Sequence, residues 1–281
     1  MSRKSTLSRV RAGIAAVAIA AFALTGCAPA DTAATDESAI TTITPGKLTI
    51  GTGLPAYEPW VVGDAPESGE GFEAAVAYAI AAELGFAAED VVWVRTTFDE
   101  AIAPGAKNFD FNLQQYTITE ERKVNVDFSD PYYTTTQTVI TVAGSAAENA
   151  TSLADLKELL VGAASATTSF TAIEEFITPT AGAQAFNSND DAKAALQSGQ
   201  LDALVVDLPT ALYLTCCDLT DGKILGQITG AEGGDSFGLV LDKGSALTAA
   251  VNAAIKALRD NGTLAEIEKK WLTDTSAPVL K

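Results

Sequence analysis

The sequence predicts a two-lobed α/β fold. From residue 47 onward, strand-like apolar runs alternate with helix-like segments, and the alternation starts afresh after Tyr133. Such alternation argues for parallel sheets covered by helices. Residues 46–281 also supply enough chain for one large domain or two lobes with their own cores.

The N-terminus comes first. "MSRKSTLSRVRAG" carries four basic residues and no acid, and Ile14 to Leu24 follow as an unbroken apolar run. That run is shorter than the roughly 20 residues a membrane-spanning helix needs, so residues 1–26 are expected to be a signal peptide. It ends in "LTGC", Leu24 to Cys27, which resembles the lipobox of bacterial lipoproteins and implies lipidation of Cys27. The alternative is an ordinary small-residue cleavage site that happens to precede a cysteine. Residues 27–45 are small and polar, without apolar periodicity, and are expected to form a flexible tether. The protein would then be anchored to a membrane, not spanning it.

"KLTIGTG" at 47–53 reads as a buried strand ending in a glycine turn. In "GFEAAVAYAIAAELGF", Val76, Ile80 and Leu84 repeat every four residues and Gly85 suits a helix C-terminus. "VVWV" at 91–94 gives the next strand, "FDEAIAPGAK" a short helix, and "FDFNLQ" a third strand leading into "QYTITEERKVNVDFSDPYY". The second half opens with the strand "TVITVAG" and the helix "SLADLKELL". "VGAASATTS" leads into the helix "FTAIEEFI"; the helix "NDDAKAALQSGQ" and the strand "LDALVVD", which ends at Asp207, come after it. Two helices close the chain, with Gly262 as the stop of the first and Thr263 as the N-cap of the second.

Composition excludes whole classes of chemistry. The formal charge is −18, and loss of the leader with its four bases and no acid would take it to −22. A surface this acidic argues against nucleic acid, which needs clustered cations. The chain has no histidine, which removes the commonest metal ligand and the usual general base. Neither a metal nor a cofactor is expected. With Cys27 lipidated, only Cys216 and Cys217 remain, as a vicinal disulfide or as two thiols.

The motif order over about residues 46–273 resembles the amino-acid-binding (family 3) solute-binding proteins of ABC importers. Five blocks carry it: "GFEAAVAYAIAAELG", "YTITEERKVNVDFSDPYY", "VGAASATTS", "GQLDALVVD" and "FGLVLDKGSALTAAVNAAIKALRDNGTLAEIEKKWL". The resemblance implies a periplasmic-binding-protein-like fold of type II, with two α/β lobes, two hinge crossings and a ligand cleft between them. Mapped here, residues 46–134 plus 239–281 form the first lobe and 135–238 the second.

A free amino acid presents a carboxylate and an ammonium, and a cleft that buries both must partner each. By resemblance, Arg122 grips the α-carboxylate, aided by Thr117 and by the turn Ala166–Thr168, where the family has a glycine in place of Ala166. Thr167 and Thr168 are retained. Asp207 matches the acidic partner of the ammonium. Tyr57 and Trp60 are candidates for an aromatic stacked on the ligand. Glu58 would stand in for an acid that relatives selecting cationic ligands carry at the position of Gly53. Gln115, with Gln114, is a candidate hydrogen-bonding group. Read without the resemblance, Arg122 pairs with Glu120, Glu121 or Asp127 on the surface, and Asp207 is a turn or cap residue.

The expected function is capture of a polar amino acid, glutamine-like ahead of basic or cystine-like, and its delivery to the transmembrane subunits of an ABC permease. The receptor would be a lipid-anchored monomer on the extracytoplasmic face of the cell membrane. Two other readings share the cleft: a ligand-sensing lipoprotein, and an enzyme like the cyclohexadienyl dehydratases with a carboxylate as general acid.

Overall fold

A computed structural model of the protein describes residues 40–228, 234–272 and 276–280. The leader, Cys27 and most of the expected tether lie outside the described residues. Within the described residues no helix is long and apolar enough to cross a membrane.

The first sheet gathers β1 (Leu48–Gly53), β2 (Val91–Thr96), β3 (Phe111–Asn112), β4 (Asp127–Phe128) and, from far along the chain, β12 (Val240–Leu241), in the order β2-β1-β3-β12-β4. β1 is parallel to β2 and β3, whereas β12 runs antiparallel to β3 and β4. All six residues of β1 are buried, as a central strand covered on both faces requires. α1 (Phe72–Glu83) covers this sheet and presents Val76, Ala77 and Ile80 to its core. Gly85 follows at φ 86°, so the helix ends where the sequence places its stop. The short α2 (Phe98–Ile102) and α3 (Glu120–Lys123) follow β2 and β3.

The second sheet has the order β13-β10-β6-β9-β7-β8. Its strands are β6 (Gln137–Val142), β7 (Val161–Ala164), β8 (Gln184–Phe186), β9 (Ala203–Asp207), β10 (Gly222–Ile228) and β13 (Val279–Leu280). Here β7 is parallel to β8 and β9, and β6 is antiparallel to both β9 and β10. Both sheets are therefore mixed: the strands entering from a crossing run against the parallel set. α4 (Thr168–Ala172), α5 (Asn189–Gln197) and α6 (Leu208–Tyr213) belong to this half, while α7 (Thr248–Asp260) and α8 (Thr263–Trp271) return to the first.

Between the sheets the chain crosses twice, through β5 (Tyr133–Thr135) and β11 (Asp235–Phe237), which pair antiparallel. An aromatic core lies against these crossings: Trp60 meets Phe72, Tyr133 and Phe237 edge-on at centroid distances of 5.9, 6.1 and 5.7 Å. Each fully buried side chain of this size contributes about 1.5–3 kcal/mol of apolar burial.

Several elements differ from expectation. Residues 40–45, expected in the tether, dock on the first lobe: Ile40 packs on its core and Ile43 N–H donates to Asp110 Oδ1 at 2.8 Å. The last strand, β13, pairs with β10 in the second sheet, although the segment 239–281 was expected whole in the first lobe. "SLADLKELL" makes only a 3-10 turn at Ala154–Leu156, and "FTAIEEFI" ends in a π turn at Ile173–Ile177. The last helix takes Gly262 as its N-cap, with φ 85°, and Thr263 is its first helical residue. Cys216 and Cys217 form a vicinal disulfide in a π turn after α6.

Candidate functional site

A cleft lies between the two halves, a place that small-molecule sites favour. The first half contributes Leu54, Pro55, Tyr57, Thr97, Phe98, Asp99, Gln114, Gln115 and Arg122. From the second come Thr167, Thr168, Asn187, Ser188, Asn189 and Asp207.

Arg122 sits in α3, a single turn opened by Thr119, whose Oγ1 accepts the Arg122 N–H at 3.2 Å. The side chain is buried and makes no ion pair among the described residues. Two of the acids expected to pair with it are engaged elsewhere: Glu120 pairs with Lys123 and Asp127 with Lys243. Instead, Arg122 Nη1 donates to Thr117 O at 2.7 Å and Nη2 to Ala166 O at 2.8 Å, so one guanidinium touches both halves. Its carbon lies 5.2 Å from the Phe98 ring centroid, within cation–π range. Burial pushes the guanidinium pKa down, while Tyr116, Asp235 and Asp207 act against that.

Ala166 reaches Arg122 because its backbone is left-handed, φ 57°, a conformation that glycine takes without strain. Thr167 then caps α4, accepting Phe170 N–H at 3.2 Å and donating to Ala164 O at 2.6 Å, so its hydroxyl is spent on the turn. Thr168 Oγ1 lies 3.2 Å from Thr117 Oγ1 across the cleft and donates to Asp235 Oδ2 at 3.0 Å.

Asp207 is the N-cap residue of α6, at the end of β9, but its side chain makes no cap hydrogen bond. Its Oδ1 accepts Gln137 Nε2 at 2.9 Å, and the same nitrogen donates to Asp235 Oδ2. Burial first, then the negative charge of Asp235, pushes the Asp207 carboxyl up to about 8. A cation brought beside it would restore the carboxylate.

Gln115 is also held at positive φ, 50°, and its side-chain amide donates to Glu73, so its side chain serves the protein. Tyr57 lines the cleft together with Ser188 and Asn189 of the other half. Burial raises its phenol's pKa, with Asp190 adding to the effect.

Two expected residues are elsewhere. Trp60 is 1 % exposed, in the aromatic core and outside the cleft lining, with Nε1 donating to Thr210 Oγ1 at 2.9 Å. Phe98 supplies the cleft aromatic that Trp60 does not. Glu58 lines an adjoining hollow with Lys193 and Tyr213 and accepts Gly63 N–H at 3.3 Å. The Gly53 position itself has no room for an acid: an added Cβ would meet Pro55 O at 2.8 Å and Gln114 Nε2 at 3.0 Å.

Sequence reasoning missed Gln137, Asp235, Glu73 and Phe98. Only Glu73 left a local signal, an acid in the otherwise apolar run "GFEAAVAYAIAA".

Comparison with known proteins agrees with this architecture. The family model for bacterial extracellular solute-binding proteins, family 3, matches residues 48–274. The glutamine-binding protein GlnH of an ABC transporter of Bacillus subtilis is 33% identical over 218 residues, 75% of this chain and 77% of the relative. An L-arginine-binding protein of Pseudomonas aeruginosa is 31% identical over 226 residues, 78% and 85% of the two chains. The solved structure of an ancestral arginine-binding protein bound to glutamine superposes with a TM-score of 0.70 at 32% identity, covering 82% of this chain and all of the other.

Proposed function

The chain belongs to the bacterial extracellular solute-binding proteins, family 3, and from that premise we propose that its cleft captures a free polar α-amino acid through Arg122 and Asp207 for delivery to an ABC permease. The supporting observation is their opposition: a buried guanidinium on one half and a partly buried carboxyl on the other line one cleft. A zwitterion supplies the counter-charge for each. The carboxylate would replace the carbonyls that now occupy Arg122, with Thr117 and Thr168 beside it. The ammonium would meet Asp207. Family members and the matched relatives are binding proteins of transport, and the chain works as a binder, not as an enzyme.

Contacts that need both halves favour the closed arrangement, so ligand binding shifts the hinge equilibrium by the free energy of those contacts. A permease that recognises the closed form would then accept loaded receptor. We place glutamine ahead of arginine as cargo, because on the remaining cleft wall the amides of Gln114, Asn187 and Asn189 and the hydroxyls of Thr97 and Ser188 outnumber the single carboxyl of Asp99. Lipidation at Cys27 would hold the receptor, as a monomer, on the extracytoplasmic face of the cell membrane.

A thermal-shift screen of the purified protein against the twenty amino acids, cystine, ornithine and prephenate tests the reading, since binding to the folded state raises Tm by mass action. The expected result is a clear shift with glutamine. A larger shift with arginine would overturn the preference alone; silence from every amino acid, or a response to prephenate only, would overturn the receptor.

A further inference from the structure

Glu73 lies in the first turn of α1 and is 1 % exposed, surrounded along the helix by alanines, Phe72 and Val76. A carboxylate in such a setting must be hydrogen-bonded to persist. Three donors converge on it. Oε1 accepts the Gln115 backbone N–H at 2.8 Å and the Tyr132 hydroxyl, and Oε2 accepts the Gln115 side-chain amide. Both donors of Gln115 are thus committed to a single carboxyl, and Gln115 is the cleft residue held at φ 50°, where a residue with a side chain is uncommon.

Tyr132 immediately precedes β5, and its N–H donates to Phe237 O of β11 at 2.9 Å. The carboxylate therefore joins three things that are distant in sequence: the start of α1, the turn that lines the cleft, and the entrance to the crossing strands. Burial pushes Glu73 up to about 7, and the bonds from Tyr132 and Gln115 oppose that rise.

We infer that Glu73 is a positioning residue for ligand capture: it holds the Gln115 turn in its left-handed form and fastens that turn to Tyr132 where the first crossing begins. This rests on the receptor reading, because Gln115 matters to function only as part of the ligand cleft. Since its side chain is spent on Glu73, Gln115 shapes the cleft through its backbone.

The test uses Glu73→Gln, Gln115→Gly and the double variant, with L-glutamine and L-arginine as probes in calorimetry. Glu73→Gln keeps the volume but turns an NH2 toward the Gln115 amide, so two donors face each other. Affinity is expected to fall at least tenfold, and a crystal structure of this variant without ligand should show Gln115 leaving positive φ. Glycine takes positive φ unaided. The double variant should therefore bind within about threefold of Gln115→Gly alone, a rescue that a merely structural role would not produce. Unchanged affinity in Glu73→Gln, an unmoved Gln115 turn, or a double variant as weak as Glu73→Gln would each overturn the inference. If Glu73→Gln does not fold, the double variant should, and failure of both overturns it as well. A wild-type protein that binds neither probe would refute the receptor reading, and the crystal structure of Glu73→Gln would still decide the role of Glu73.

Discussion

Trp60 Nε1 donates to Thr210 Oγ1 at 2.9 Å, joining the aromatic core of the first half to the helix that follows Asp207 in the second. The ring is held by Phe72, Tyr133 and Phe237, so only its N–H reaches across.

Thr210→Val should therefore weaken closure without dismantling either core. It leaves a buried indole N–H unpaired, which costs about 1–3 kcal/mol. The expected outcome is a ligand affinity about tenfold or more lower, with a larger radius of gyration in small-angle scattering at saturating ligand. Wild-type affinity would show that this bond does not contribute to the closed arrangement.

Replacing Arg122 with alanine should abolish amino-acid binding. Charge-assisted hydrogen bonds contribute roughly 1.5–3 kcal/mol each, so losing two of them weakens binding by at least about a hundredfold. Arg122→Lys keeps the charge but not the fork, and should recover only part of that. Calorimetry on folded variants checks both, and near-wild-type affinity in the alanine variant would remove Arg122 from the site.

Binding should strengthen with pH. The Asp207 carboxyl is pushed up to about 8 and Glu73 to about 7, whereas unfolded carboxyls titrate near 4. Folded pKa values above the unfolded ones mean that the folded chain holds these protons more tightly. The stability they contribute is fully present below about pH 4 and is lost as pH rises through about 8. An ammonium beside Asp207 favours the ionised form, so amino-acid affinity should rise between about pH 6 and 8 and then level. Asp207→Asn should flatten the upper part of that rise and weaken amino acids far more than analogues without the ammonium. A flat wild-type profile would contradict the assignment.

Cysteine chemistry separates the two ends of the chain. With Cys216 and Cys217 joined and Cys27 lipidated, thiol titration of the denatured, unreduced protein should find no free thiol. Cys27→Ser should move the protein out of the membrane fraction; unchanged membrane retention would refute lipidation there.

Local sequence determined much of this protein. The apolar run of β1, the four-residue spacing on α1 and the glycine stop at Gly85 each depend on neighbours within a few residues, and each stands where the sequence places it. Arg122 and Asp207 were legible through the order of family motifs and not by any local mark, since each read alone suits a surface pair or a turn; both line one cleft. What tertiary structure decided is the partnership of distant groups. Trp60 reads as a loop aromatic but sinks into a core built from Phe72, Tyr133 and Phe237, because burying a large ring against the crossings outweighs exposing it. Gln137 and Asp235 bracket Asp207 only after the chain has crossed between the sheets twice, and Glu73 meets Gln115 and Tyr132 only once α1 is laid on the first sheet. Sequence specifies the period and polarity of each segment, whereas a buried charge's environment is set by whichever segments the topology brings against it.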